Sequence, residues 1–193
     1  MVVITIENHF LTGKLLIAMP AMGDPRFARS VVYICAHNAD GALGLIINKK
    51  MSTPSFLEIL DQLEISTAMD AKNKIHDVYF GGPVETERGF ILHSLEYNSP
   101  HTLVINHEVG MTASIEIIKE LAAGTGPTKS LLALGYAGWG AGQLDGEIQE
   151  NAWLSVDPDQ DLIFNENVNI KWDKALEKVG VSAALLSTES GHA

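Results

Sequence analysis

The sequence predicts one α+β domain with a large sheet, mixed or mostly antiparallel, and three or four helices packed mainly on one of its faces. Apolar runs of strand length outnumber helical stripes and come in clusters instead of alternating strictly with helices, which argues against a wound parallel sheet. Of 193 residues, 46% are hydrophobic and 19% charged, a balance that supports a buried core without disulfides or metals. No repeat, low-complexity tract or linker divides the chain, so residues 1–193 are expected to form a single domain.

The first clear element is a strand over Lys14 to Met19, ending at Pro20, followed by the turn signal Asp24-Pro25-Arg26-Phe27. The apolar run around it is too short to span a bilayer and is broken by Pro20, so it reads as a strand and not as a signal peptide. Ser30 to His37 is apolar on both alternating faces and belongs at the centre of a sheet. With the turn Asn38-Ala39-Asp40-Gly41 and the run Leu43 to Asn48 it makes a hairpin.

Either Thr53 with Pro54, or Ser55 with Glu58 as a capping box, starts a helix whose Phe56, Leu60 and Leu63 face inward. Val78 to Phe80 is a short strand stopped by Gly81-Gly82-Pro83. Gly89 to His93 and Thr102 to Ile105 are two more, joined through Asn98-Ser99-Pro100. Thr112 is placed to cap a second helix, with Ile115, Ile118 and Leu121 inward and Gly124 closing it. Leu154 to Val156 and Leu162 to Phe164 read as a strand pair, and a last helix over Ile170 to Val179 buries Trp172, Leu176 and Val179.

The densest signals lie between Ser130 and Trp153. Leu131 to Leu134 reads as a buried strand; Gly135, Gly138, Gly140 and Gly142 follow, interleaved with Tyr136 and Trp139; Leu144 and Ile148 then sit four apart, as on a short helix. One expectation is a tight turn over Gly138 to Gly142 that presents Trp139 to a ligand at a helix start. The other is that Trp139 plugs the core and the glycines permit close packing.

Net charge is −11, and no Lys or Arg falls between Lys129 and Lys171, while seven acidic residues do. A duplex phosphate backbone would be repelled there, so no direct nucleic-acid binding is expected, and no membrane association either. The single cysteine, Cys35, excludes an internal disulfide and fits a reducing compartment, the cytoplasm.

Several catalytic patterns begin and fail. The glycines from Gly138 lack the last Gly of a dinucleotide fingerprint, where Gln143 stands, and Ala123 and Thr128 replace both glycines of a phosphate loop before Lys129-Ser130. His107-Glu108 has no second His at Met111, and Asp157, Asp159 and Asp161 lack a calcium loop's Gly and final Glu. No metal site or cofactor is expected. Cys35 is the one candidate redox residue, with His37 two positions on and on the same strand face if alternation is regular; packed in an apolar strand, it is expected to be mainly a structural thiol. Arg29 either pairs Asp24 or holds an anion.

Leu15-Leu16-Ile17-Ala18-Met19-Pro20, Asp24-Pro25 with Phe27, Arg29 to Cys35, His37-Asn38, Gly41-Ala42 and Gly44 to Asn48 form an ordered series. Gly81-Gly82-Pro83-Val84, Arg88 to His93, Leu134 to Leu144, Asn151-Ala152-Trp153 and Gly191-His192-Ala193 continue it. In their order these stretches resemble the bacterial AlgH/YqgE family nearly end to end, departing only in the lead Met1 to Glu7 and in Thr12-Gly13-Lys14. The resemblance implies a single α+β domain with a partly bifurcated sheet, in a cytoplasmic protein. Members are often labelled transcriptional regulators, yet this chain shows neither a helix-turn-helix nor a basic face.

The leading expectation is therefore a non-catalytic regulatory or adaptor protein that binds a protein partner or a small ligand. Arg29, His37, Asn48, His93, Trp139 and Gln143 are the candidates for one ligand cleft. The alternative is an enzyme or redox switch using Cys35 with His37.

Overall fold

The apolar run at Leu131 continues far beyond four residues, so that Ser130–Gly140 forms one eleven-residue strand to which the two halves of the sheet attach. The computed structural model describes residues 10–66 and 76–181; the lead Met1 to Glu7 and the end Gly191-His192-Ala193 lie outside them. In chain order the elements are β1 (Leu15–Ala18), β2 (Val31–Asn38), β3 (Gly41–Ile46), β4 (Lys50–Met51), α1 (Phe56–Gln62), β5 (Val78–Phe80), β6 (Val84–Ser94), β7 (Thr102–Val104) and β8 (Val109–Thr112). They continue with α2 (Ile115–Ala123), β9 (Ser130–Gly140), α3 (Gln143–Gln149), β10 (Trp153–Val156), α4 (Gln160–Phe164) and α5 (Lys171–Lys178).

The sheet runs β10-β1-β2-β3-β9-β6-β8-β7, with β4 and β5 as a side branch. Pairing is antiparallel except between β5 and β9, so the sheet is mixed and mostly antiparallel, as expected. The branch is set by Gly81. Its N–H donates to the Leu134 carbonyl on β9 and its own carbonyl accepts from Ile46 N on β3, both at 2.8 Å, so one peptide fills the wedge where the two strands part. A Cβ on Gly81 would lie 2.2 Å from the Gly135 carbonyl oxygen, and one on Gly82 2.1 Å from the Tyr136 carbonyl carbon. Only glycine allows that approach.

Alternation splits β2 between two cores. Val31, Tyr33 and Cys35 join Leu162, Trp172 and Leu176 of α4 and α5 on one side. On the other side Val32 and Ile34 pack with Trp139, Leu144 and Trp153 near α3, while α1 and α2 cover Val78, Ile91 and Leu132. Among the described residues five helices thus lie on both faces, three on one and two on the other, a division that the expectation of one main face did not separate. The sheet also curls: Asn106 Nδ2, in the β7–β8 loop, donates to the Tyr33 hydroxyl on β2 at 3.1 Å.

Local signals decide several boundaries. Of the two possible starts for α1, the Ser55–Glu58 capping box is the one formed, with both of its bonds present. Gly124 closes α2 in the left-handed conformation, φ 72°. Four expectations are corrected. The strand expected over Leu162 to Phe164 is helix α4, because the Asp159 carboxylate accepts from Leu162 N and caps a helical turn. Strand β8 lies between β6 and β7, so Thr112 is its buried last residue and Ser114 takes the N-cap position of α2. Leu63, Ile115 and Val179 end up exposed, their places in the stripes taken by Ile59, Ile117 and Ala175. Gly138 and Gly140 lie within β9, not in a turn, and Trp139 is buried.

Candidate functional site

The candidate residues fall in three places. His37, Trp139 and Gln143 gather around α3. Gln143 Oε1 accepts from Gly140 N at 3.0 Å and its Nε2 donates to Glu147 Oε1 at 2.9 Å. Glu147 Oε2 also accepts the indole N–H groups of Trp139 and Trp153. His37 is buried; its Nδ1 accepts from Leu11 N at 3.1 Å, which puts the ring proton on Nε2, 3.8 Å from the Asp145 carboxylate. These hydrogen bonds lock α3 and the residue-11 segment onto the sheet.

Arg29 and Asn48 form the second place. Asn48 Oδ1 accepts from Val31 N and its Nδ2 donates to the Arg29 carbonyl, each at 2.8 Å, so the amide stands in for a missing strand partner. It thereby holds Arg29 at φ 52°. The Arg29 guanidinium lies over the Trp172 ring at 4.1 Å and 3.5 Å from Asp173. Asp24, the expected partner, is occupied by Arg26.

His93 stands alone on β6 with no exposed surface. Nδ1 donates to the Ser94 carbonyl at 3.0 Å, Nε2 accepts from Thr112 Oγ1 at 2.9 Å, and Thr102 Oγ1 lies 2.8 Å from Thr112 Oγ1. Burial holds its pKa below the usual histidine range, so the ring is neutral and structural in this geometry.

Cys35 and His37 do not share a face. A β-bulge between Ile34 and Ala36 shifts the register of β2, so Cys35 points into the α4–α5 core while His37, opposite Ala42, faces the α3 side. One extra residue reverses the alternation on which the pairing was expected. Burial raises the thiol well above its ordinary pKa, and Sγ donates weakly to the Tyr33 carbonyl.

None of these residues lines the opening beside β5. A cleft of about 930 Å³ lies between β5, the loop after α2, the start of β9 and the α4–α5 region, and is lined among others by Tyr79, Thr128, Lys129, Gln160, Phe164 and Lys174. Its volume is that of a small-ligand site. Lys129 Nζ reaches Gln160 Oε1 and Asp161 Oδ1, each at 3.2 Å. Among the described residues Lys174 makes no ion pair.

Behind Tyr79 lies a residue that sequence reasoning missed. Lys171 has no exposed surface; its Nζ donates to the carbonyls of Ile47 and Ile163 at 2.7 Å and lies 5.5 Å from the Tyr79 ring centre. Burial, reinforced by the nearby charge of Lys50, lowers its pKa to about 7. A signal was present: Lys171 falls on the same helical stripe as Trp172, Ala175 and Leu176, where a solvated lysine does not belong. Among the described residues no group of three or more His, Cys, Asp or Glu is placed to hold a metal, and no helix is long and apolar enough to cross a membrane.

The chain is similar to known proteins along nearly its whole length. A family model described as AlgH-like matches residues 15–184. A UPF0301 protein of Jannaschia sp. is 48% identical over 188 residues, covering 96% of this chain and 97% of that one. A UPF0301 protein of Rhodospirillum rubrum is 46% identical over 190 residues, covering 97% and 98%. Among solved structures, the solution structure of the AlgH protein from Pseudomonas aeruginosa matches with a TM-score of 0.78 at 42% identity, covering 96% and 97%. A crystal structure of a protein from Corynebacterium diphtheriae matches with a TM-score of 0.70 over 92% of each chain; at 20% identity it bears on the fold alone.

Proposed function

The chain belongs to the AlgH-like family, and from that membership and its cleft we infer that it works by binding, as a cytoplasmic regulatory or adaptor protein without chemistry of its own. The cleft carries this reading. It is large enough for a small ligand, it presents lysine, carboxylate, amide and hydroxyl groups, and Cys35 is not among its lining residues. The candidate nucleophile is poorly suited to chemistry: Cys35 is sealed in a core, held neutral by burial, and separated from His37 by the thickness of the sheet.

Charge narrows the partner. With a net charge of −11, duplex DNA is disfavoured, and a small ligand or a protein surface fits better. Nuclear magnetic resonance of the isotope-labelled protein, titrated with fractionated small molecules from a bacterial extract, tests the reading. Shifts centred on the amides of Lys129, Gln160 and Lys174 are expected. Shifts confined to the Cys35 strand, or turnover of an added compound that Cys35→Ala abolishes, would overturn it.

A further inference from the structure

The two edges of the sheet are finished differently. At the β10 edge Trp153 is buried, Leu154 and Val156 are half-buried, and Asp157, paired to Lys14, sets a charge at the end of the strand. Strand β7, at the other edge, lacks these protections. Its Leu103 and Val104 are exposed, and from Asn98 to His107 the chain carries no Asp, Glu, Lys or Arg. Pro100 lies in the turn before β7 and removes no donor from Thr102–Val104.

The ladder decides which peptide groups of this edge are free. Ile105 N–H donates to the Val109 carbonyl at 3.0 Å, and Thr102, Leu103 and Val104 lie opposite Thr112, Met111 and Gly110. Bonded and non-bonded pairs alternate along an antiparallel ladder, so Leu103 bonds to Met111 while Thr102 and Val104 turn their peptide groups outward. The Thr102 N–H is taken by the Ser99 carbonyl, which leaves the Thr102 carbonyl and both groups of Val104 without a partner among the described residues. Val104, Ile115 and Leu103 are also the three most exposed large apolar side chains among those residues, at 60, 47 and 46%. Leu103, opposite Met111, lies on the face of the α4–α5 core. Val104, opposite Gly110, lies on the other face, where Ile115 opens α2 three residues beyond Thr112. An edge that is apolar on both faces and keeps free peptide groups is a template for another strand.

We propose that β7 is a dimerisation edge, on which a second copy of this chain pairs antiparallel about a two-fold axis at Leu103. In that register Leu103 meets Leu103 of the second copy and Val104 meets Thr102. Each Val104 N–H then donates to the other copy's Thr102 carbonyl, and the occupied Thr102 N–H is not needed. The same operation brings Val104 of each copy toward Ile115 of the other, so all three exposed side chains are covered together. Charge fits this occupant. The stretch Ser99 to His107 maps onto itself about Leu103 and Glu108 falls opposite Asn98, so no like charges are opposed, whereas a strand bearing lysines or carboxylates would find no counter-ion on β7. Such a contact is isologous and closes at two copies. Three residues a side fall well short of the ~1,600 Å² of a standard interface, so the dimer is weak and reversible. None of these residues lines the cleft, and the inference does not depend on it.

Sedimentation velocity of the whole chain, from about 10 μM to about 1 mM and at low and high salt, tests the proposal. Expected is a concentration-dependent passage from monomer to dimer that strengthens with salt, because salt screens the repulsion between two chains of charge −11. Val104→Pro should abolish the dimer and keep the fold, since that N–H makes no bond to β8 and an edge position tolerates proline. Leu103→Lys, which sets two ammonium groups face to face, should weaken association about tenfold or more, and serves alone should the proline variant not fold. Leu57→Lys, on an exposed apolar residue of α1, should leave it unchanged. Register is read by Leu103→Cys with copper phenanthroline as oxidant: opposed residues of a non-bonded pair stand about 4.5 Å apart at Cα, within disulfide reach, and Cys35 is buried. A dimer that forms without that link overturns the two-fold register. A monomer throughout, or a dimer indifferent to both Val104→Pro and Leu103→Lys, overturns the proposal. So does a monomer whose Val104 amide shifts only with an added peptide of alternating Val and Thr flanked by Lys, which assigns the edge to a foreign strand.

Discussion

Trp139 and Trp153 donate their indole N–H groups to the same oxygen, Oε2 of Glu147, at 2.9 and 2.8 Å, and their rings meet edge to face 5.9 Å apart. One carboxylate on α3 thus ties β9 to β10, which are far apart in the sheet order. Glu147→Ala should cost about 2–3 kcal/mol, because two buried donors lose a charged acceptor together. Trp139→Ala should cost about 3–5 kcal/mol, and Trp139→Phe less, since a six-membered aromatic ring is kept while the N–H and the five-membered ring are lost. The three changes share partners, so Glu147→Ala combined with Trp139→Phe should fall short of the sum. Urea denaturation of the single and double variants measures this, and additive losses would show that the carboxylate does not join the two rings.

Cys35 should resist alkylation at neutral pH until the protein unfolds. Its thiol is buried and its pKa is raised by that burial. Cys35→Ser should lose on the order of 1 kcal/mol or more by placing a hydroxyl in an apolar strand, and Cys35→Ala should leave only a small cavity. Labelling with iodoacetamide in native buffer and in urea separates the outcomes: comparable rates in both would make the thiol accessible.

Lys171 makes stability depend on pH in the direction of a lowered base. Its folded pKa is about 7 and its ordinary value 10.5, so between those limits the unfolded chain binds a proton that the folded chain does not. Unfolding free energy from this group therefore rises with pH across that window and is lowest below pH 7, by a few kcal/mol at most, on the order of the shift converted at 1.36 kcal/mol per unit. Stability of the native protein relative to Lys171→Met, measured by urea titration in anion-poor buffers from about pH 6.5 to 9.5, should climb with pH. A flat difference would mean that Lys171 stays charged.

Two glycines should respond to the same substitution with opposite sign. Gly82 has φ 156° and its Cβ would meet Tyr136 backbone atoms at 2.1 and 2.2 Å, so Gly82→Ala should cost about 3 kcal/mol or more, or prevent folding. Gly146, inside α3, has nothing within 4 Å of its would-be Cβ, so Gly146→Ala should stabilise by about 0.5–1 kcal/mol. Thermal melts of the two variants decide the point, and a tolerant Gly82 would remove the close approach from the account of the fork.

The sequence by itself determined what depends on neighbours in the chain. Apolar runs bounded by turn residues marked Lys14 to Met19, Ser30 to His37 and Val78 to Phe80 as strands, Asn38 to Gly41 set a hairpin, Ser55 with Glu58 gave one of two possible starts for α1, and Gly124 ended α2. An ordered series of such stretches was also enough for the family. Short elements with competing signals were less legible: Val109–Thr112 follows a helix-like opening, and Gln160–Phe164 is apolar enough for a strand until Asp159 is seen to cap it. Only the tertiary structure decided what depends on convergence of distant segments. A bulge of one residue put Cys35 and His37 on opposite faces, Gly138 and Gly140 proved to lie within β9, which Gly81-Gly82 approaches at Gly135 and Tyr136, and the polar candidates separated into three hydrogen-bond networks. The cleft and the lysine behind it are assembled from β5, the loop after α2, α4 and α5, and no local period encodes which of their side chains will meet.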